Sequence, residues 1–151
     1  MSARYHLPPI KEFLSISFKC ELTNPPKVPE YLHLTIHYKE GRTVPKAHQK
    51  ADNHEDGLSV IKVGRTASIE SSDIVLDFSE KKIPIQFEFQ RQQEFIVKLV
   101  NDNGHPKGVG RFLLSDLVTK MGEGITIDLR KPKEGILGTC KVHWNMLGAG
   151  N

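Results

Sequence analysis

Hydrophobic residues in this chain recur with a period of two, and that one feature restricts it to folds built from half-buried β-strands. From Leu14 to Leu22, the residues Leu14, Ile16, Phe18, Cys20 and Leu22 alternate with Ser15, Ser17, Lys19 and Glu21. Successive side chains of a strand point to opposite faces, so such a run buries one face and wets the other. Leu32, Leu34, Ile36 and Tyr38 repeat the pattern against outward-facing His33, Thr35 and His37. Ile83, Ile85, Phe87 and Phe89 repeat it again against Pro84, Gln86 and Glu88. Further strands are predicted at Ser59–Ile69, Glu94–Val100, Val109–Leu113, Ile125–Leu129 and Ile136–Trp144, with a short helical turn at Ser115–Lys120. The stretch from Glu70 to Ser79 has no clear period.

The segments between these runs are punctuation. Three prolines in TNPPKVPE (Thr23 to Glu30) stop the first strand, because proline supplies no ladder donor. NDNGHPK (Asn101 to Lys107) is turn chemistry throughout. Lys39 to Gly57 is polar and aperiodic, basic in its first half and acidic in its second, and reads as a long loop. No segment carries a sustained helical stripe. A length of 151 residues suits one domain with a sizeable core. The expected architecture is all-β, an eight-stranded antiparallel β-sandwich over residues 10–146, with an extension at 1–9 and a tail at 147–151. Its core should contain Leu14, Ile16, Phe18, Leu34, Ile36, Phe87, Phe89, Val97, Leu99 and Trp144.

Charge and cysteine content exclude several function classes. A formal net charge of +3 is too weak to announce nucleic acid, and none is expected as a partner. No run approaches the roughly 20 apolar residues of a spanning helix, and the N-terminal MSARYHLPPIKEF lacks the apolar region of a secretory signal. Two cysteines, Cys20 and Cys140, make no disulfide framework and read as buried thiols in a reducing compartment. The expected location is cytoplasmic, peripheral at a membrane or within a larger assembly.

Four segments, in this order, resemble the C2 domain family, the calcium- and lipid-binding type of β-sandwich, and its copine-type members in particular. They are YLHLTIHY (Tyr31 to Tyr38), VGRTASI (Val63 to Ile69), IPIQFEFQRQQEFIVKLVND (Ile83 to Asp102) and GRFLLSDLV (Gly110 to Val118). The resemblance covers roughly residues 10–146. Other antiparallel sandwiches, immunoglobulin-like ones included, share this patterning.

The resemblance implies a calcium site in loops at one end of the sandwich, and here its ligands are degenerate. The first such loop, Thr23 to Glu30, has no aspartate. In the third, Asn101 and Asn103 stand where the family pattern has aspartates, and Asp102 takes the intervening position, whose side chain points away from the ion. Asparagine lends a carbonyl oxygen but no charge, and charge sets calcium affinity. The resemblance also implies a basic, lipid-binding face on the second and third strands. The matching positions hold His33, Thr35 and His37, then Arg65 and Ala67, with Lys62 nearby; Lys39, Arg42, Lys46 and Lys50 add charge from the long loop. Each basic residue near an anionic membrane adds about 1 kcal/mol.

No catalytic constellation is visible. Nucleophile-elbow, Walker, zincin and dinucleotide-binding motifs are all missing from the sequence. His33 and His37, four residues apart on a strand, are separated by roughly 13 Å, too far to share one metal ion. No cofactor is implied. The sequence therefore predicts a non-catalytic, calcium-independent, C2-type protein-interaction module, a structural or adaptor subunit. The alternative is a peripheral membrane-docking domain that binds anionic phospholipids through His33, His37, Lys39, Arg42, Lys46, Lys50, Lys62 and Arg65.

Overall fold

The structure, a computed structural model, describes residues 11–25, 27, 29–39, 58–66, 74–88, 93–119 and 123–146. The alternating runs become β1 (Lys11–Leu22), β2 (Leu32–Lys39), β3 (Leu58–Arg65), β4 (Val75–Asp77), β5 (Ile83–Glu88), β6 (Glu94–Asn101), β7 (Pro106–Leu113), β8 (Ile125–Arg130) and β9 (Ile136–Met146). One short helix, α1 (Leu114–Val118), follows β7. The chain is all-β. Among the described residues every strand pairing is antiparallel, in the order β3-β2-β6-β7-β8-β9-β1-β4. β5 shares an edge of β1 with β4: it pairs with Lys11 to Ile16, while β4 takes Lys19 to Glu21. Pro84 is tolerated in β5 because that strand pairs with β1 alone among the described strands.

A single register pair, Val109↔Arg130, joins β7 to β8. The sheet curls about this thin join and folds back on itself. Sequence explains why. β7 reads Gly108-Val109-Gly110, so its inner face has no side chains there, and the β8 backbone approaches closely. A Cβ on Gly110 would lie 2.5 Å from the Asp128 carbonyl oxygen. The curl brings β1 across from β7, where the Phe18 and Phe112 rings meet at 6.5 Å between centroids. Phe112 stacks on Phe95 at 5.2 Å and 14°, and Phe95 meets Tyr38 at 6.3 Å. This aromatic row ties four strands into one core.

The core contains Leu14, Ile16, Phe18, Leu34, Ile36, Phe87, Val97 and Leu99 as expected, and Trp144 packs partly buried against it. Phe89 lies outside the described residues. Cys20 and Cys140 are free thiols directly opposite each other on β1 and β9, both fully buried. A hydrogen bond with Cys140, together with burial, pushes the Cys20 thiol well above its ordinary pKa.

Three expectations need correction. β4 adds a ninth strand in the stretch without a clear period. The turn expected over Asn101–Lys107 shrinks to Asp102–His105, because Asn101 ends β6 and Pro106 opens β7 opposite Val100. Thirdly, Thr35 and His37, expected to face solvent, are only 7% and 8% exposed. β2 is an interior strand, and His37 sits level with Val60 on β3 and Ile96 on β6, whose side chains flank it. The His37 ring nitrogen and the Thr35 hydroxyl, 3.2 Å apart, satisfy each other. Ser15, between Pro84 of β5 and Asn145 of β9, is buried too, as is Ser17, which pairs with His143 of β9.

Candidate interaction site at the loop end

Three connections meet at one end of the curled sheet: those from β1 to β2, from β6 to β7, and from β8 to β9. Each is pinned by the backbone. The Leu137 carbonyl accepts the N–H groups of Thr23 (2.9 Å) and Asn24 (3.0 Å), and the Asn24 side chain donates to the Ile136 carbonyl (2.7 Å). The Lys131 N–H donates to the Gly135 carbonyl at 2.9 Å. In the β6–β7 turn the Asn101 side-chain oxygen accepts the N–H groups of Asn103 (3.0 Å) and His105 (2.9 Å). Gly104 completes that turn at φ +83°, a conformation that favours glycine.

Asp102 leans out of the turn towards the ends of β2 and β3. The Arg65 guanidinium forks onto its carboxylate, with Nε donating to Oδ1 (3.2 Å) and Nη2 to Oδ2 (2.9 Å). His33 Nε2 lies 2.5 Å from Oδ1. An ionised carboxylate only accepts, so His33 Nε2 carries the proton. Arg65 also lies 3.8 Å above the Tyr31 ring, a cation–π contact. The hydrogen bonds from Arg65 first, and His33 second, hold the Asp102 pKa down to about 2.

This arrangement has a chemical consequence. Calcium takes six to eight hard oxygens, with charged carboxylates among them. The Asn101 side-chain oxygen is engaged by two backbone donors, and the Asp102 charge is already matched by the Arg65 guanidinium, with His33 hydrogen-bonded beside it. Among the described residues, no group of three or more His, Cys, Asp or Glu side chains is placed to hold a metal ion.

The residues expected to form a basic face separate. His33 and Arg65 come together, but on Asp102. His37 is buried, whereas Lys62 is exposed on β3. Lys39 ends β2, and its side chain lies outside the described residues, as do Arg42, Lys46 and Lys50. Positive charge gathers instead around a groove of about 660 Å³ between the β1–β2 connection, the β8–β9 connection and the start of β7. Four lysines line it, Lys27, Lys107, Lys131 and Lys133, against Glu30 and Glu134. Lys107 is paired with Glu30 at 3.5 Å. Reading strand by strand missed this cluster, yet a partial signal was present: Pro-Lys occurs at Pro26-Lys27, Pro45-Lys46, Pro106-Lys107 and Pro132-Lys133, and the lysines of the first, third and fourth line the groove.

No protein-family model matches this chain, and no curated protein matches it. No helix among the described residues is long and apolar enough to cross a membrane.

Proposed function

We propose that this chain is a non-catalytic interaction domain of C2 type that works without calcium and holds a protein partner as a structural or adaptor module. The observation that carries the reading is the state of Asp102. It is the only aspartate in the β6–β7 turn, it is held by Arg65 and His33 at the ends of β2 and β3, and it does not line the loop groove. Around the groove the loops present lysines, and lysines repel a divalent cation. The C2 reading is supported by the places of the four resembling segments. In their described parts, the first falls on β2, the second on the end of β3 (Val63 to Arg65), the third on β5 and on β6, which leads into the Asp102 turn, and the fourth on β7 with α1. The antiparallel strands, folded so that Phe18 reaches Phe112, also suit a sandwich.

Two measurements test the proposal. A ligand that binds only the folded state stabilises it by RT ln(1 + [L]/Kd), so millimolar calcium should leave the Tm unchanged. Sedimentation with phosphatidylserine vesicles in physiological salt, without calcium, should leave the protein in the supernatant. A calcium-induced rise of several degrees that Asp102→Ala abolishes would overturn the calcium-independent reading. Tight vesicle binding at neutral pH, lost when Lys39, Arg42, Lys46 and Arg65 become glutamine, would replace the adaptor by the membrane-docking domain.

A further inference from the structure

We propose that the loop groove docks an acidic peptide segment of the partner, one whose carboxylates are spaced by apolar side chains. This deepens the interaction-module reading and rests on it. Size comes first. A groove of about 660 Å³ lies within the roughly 300–1,000 Å³ of small-ligand sites, and accommodates a few residues of chain rather than a folded surface.

Charge comes second. Glu30 already neutralises Lys107, whereas Lys27, Lys131 and Lys133 have no ion pair among the described residues. The ligand must therefore bring negative charge. It need not be densely charged, because Glu30 and Glu134 also line the groove and would repel a polyphosphate. Those same carboxylates can accept peptide N–H groups. Among the described residues no arginine lines the groove to supply the two-point fork that favours phosphate, while single ammonium groups on three stretches of chain match separated carboxylates.

Surface character comes third. Pro25, Pro106, Pro132 and Leu137 supply apolar walls between the lysines. Proline has a fixed φ and no N–H, so these walls are stiff and offer no competing donor. The hydrogen bonds to the Leu137 and Ile136 carbonyls hold one wall in place before any ligand arrives. A preformed site loses less entropy on binding. The occupant that matches walls and charge together is an extended chain alternating acidic and apolar residues.

The probe is a fluorescein-labelled ten-residue peptide of alternating glutamate and leucine, followed by fluorescence anisotropy against the whole chain. Peptides with glutamine or lysine in place of glutamate serve as controls. Only the glutamate peptide should bind. Lys131→Glu and Lys133→Glu should each weaken it by up to about fivefold, the range of an exposed ion pair. Lys62→Glu, on β3 away from the groove, should leave it unchanged. Binding should also fall as salt rises from 0.15 to 1 M, where the screening length drops from about 8 Å to about 3 Å. Failure of the glutamate peptide to bind up to millimolar concentration, equal binding of all three peptides, or an equal effect of Lys62→Glu would overturn the assignment. So would displacement of the peptide by equimolar pyrophosphate, which would mark a phosphate site. If the peptide fails while phosphatidylserine vesicles also remain unbound, the interaction-module reading survives with its surface elsewhere; vesicle binding would remove that reading itself.

Discussion

Phe95→Ala tests whether the curled sheet is held by the aromatic row. Phe95 is fully buried on β6, stacked on Phe112 and in contact range of Tyr38. Burying a phenylalanine side chain is worth about 1.5–3 kcal/mol in transfer from water. Each of its two ring pairs adds about 0.5–1.5 kcal/mol beyond the area term. The expected loss is therefore about 3–5 kcal/mol, the usual range for truncating a buried phenylalanine. At this chain length about 2–4 °C of Tm accompanies each kcal/mol, so the midpoint should fall by roughly 6–20 °C. Urea titration gives the free energy directly, and an unchanged slope would show that the unfolded surface is the same in both proteins. Ile74→Ala, at a side chain 47% exposed, is the control and should cost under about 0.5 kcal/mol. A Phe95→Ala loss below about 1 kcal/mol would refute the reasoning, since it would mean that the ring lies in no packed row and that another contact closes the curl.

Gly110→Ala places a Cβ against the Asp128 carbonyl oxygen and should cost about 1–3 kcal/mol by overpacking, read in the same urea titration; a neutral result would show that β7 and β8 have room to separate. The Asp102 carboxyl titrates at about 2 in the folded chain against an ordinary 3.8, so the stability it contributes is present above about pH 4 and lost as pH falls towards 2. Asp102→Asn should flatten that part of the Tm–pH profile, and Arg65→Gln should flatten it in the same direction; a profile that keeps its slope in both variants would assign the acid loss to other carboxylates. Asn101→Ala removes the acceptor for two exposed backbone N–H groups of the turn, which water can then solvate, and should cost about 0.5–1.5 kcal/mol. Amide exchange at Asn103 and His105 should speed up in this variant, and unchanged protection would deny the turn its side-chain support.

Period-two alternation made the strands legible, because burial on a sheet selects side chains two residues apart. It was silent on β4, whose three residues are too few to show a period. It also misplaced Thr35 and His37. Alternation says which face a side chain is on, but not whether that second face is covered. Covering depends on the neighbours across the sheet, Val60 and Ile96 for His37, and these come from strands far apart in sequence. The site was less legible still. Asn101, Asp102 and Asn103 stood out as a weakened ligand set, but nothing local to that turn says that Arg65 will match the Asp102 charge and that His33 will hydrogen-bond to it. The register of β2 with β3 and β6 decides it, by bringing His33 level with Arg65 and Val100 one residue pair from the turn. The groove lysines come from three separate stretches of chain, Lys27, Lys107 and the neighbouring pair Lys131 and Lys133, and only the fold gathers them.

The two charge clusters divide along a chemical line. Arg65 is planar, with N–H groups in a fixed fork, and at the loop end it is consumed by structure: two hydrogen bonds to Asp102 on one side and the Tyr31 ring beneath. A side chain so engaged fixes the Asp102 turn relative to β2 and β3 but has little left to offer a ligand. Lys27, Lys107 and Lys133 each follow a proline, and Lys131 precedes one. Proline stiffens the backbone beneath the lysine without restraining its long stem, so the ammonium reaches into the groove from a fixed base. With Asp102 neutralised by its own partners, its carboxylate does not cancel the lysines' field, which at physiological salt extends about 8 Å. The loop end thus keeps an internal ion pair for rigidity and separate point charges for recognition. That combination disfavours a metal ion and a compact phosphate alike, and suits a chain whose negative charges are spaced as the lysines are.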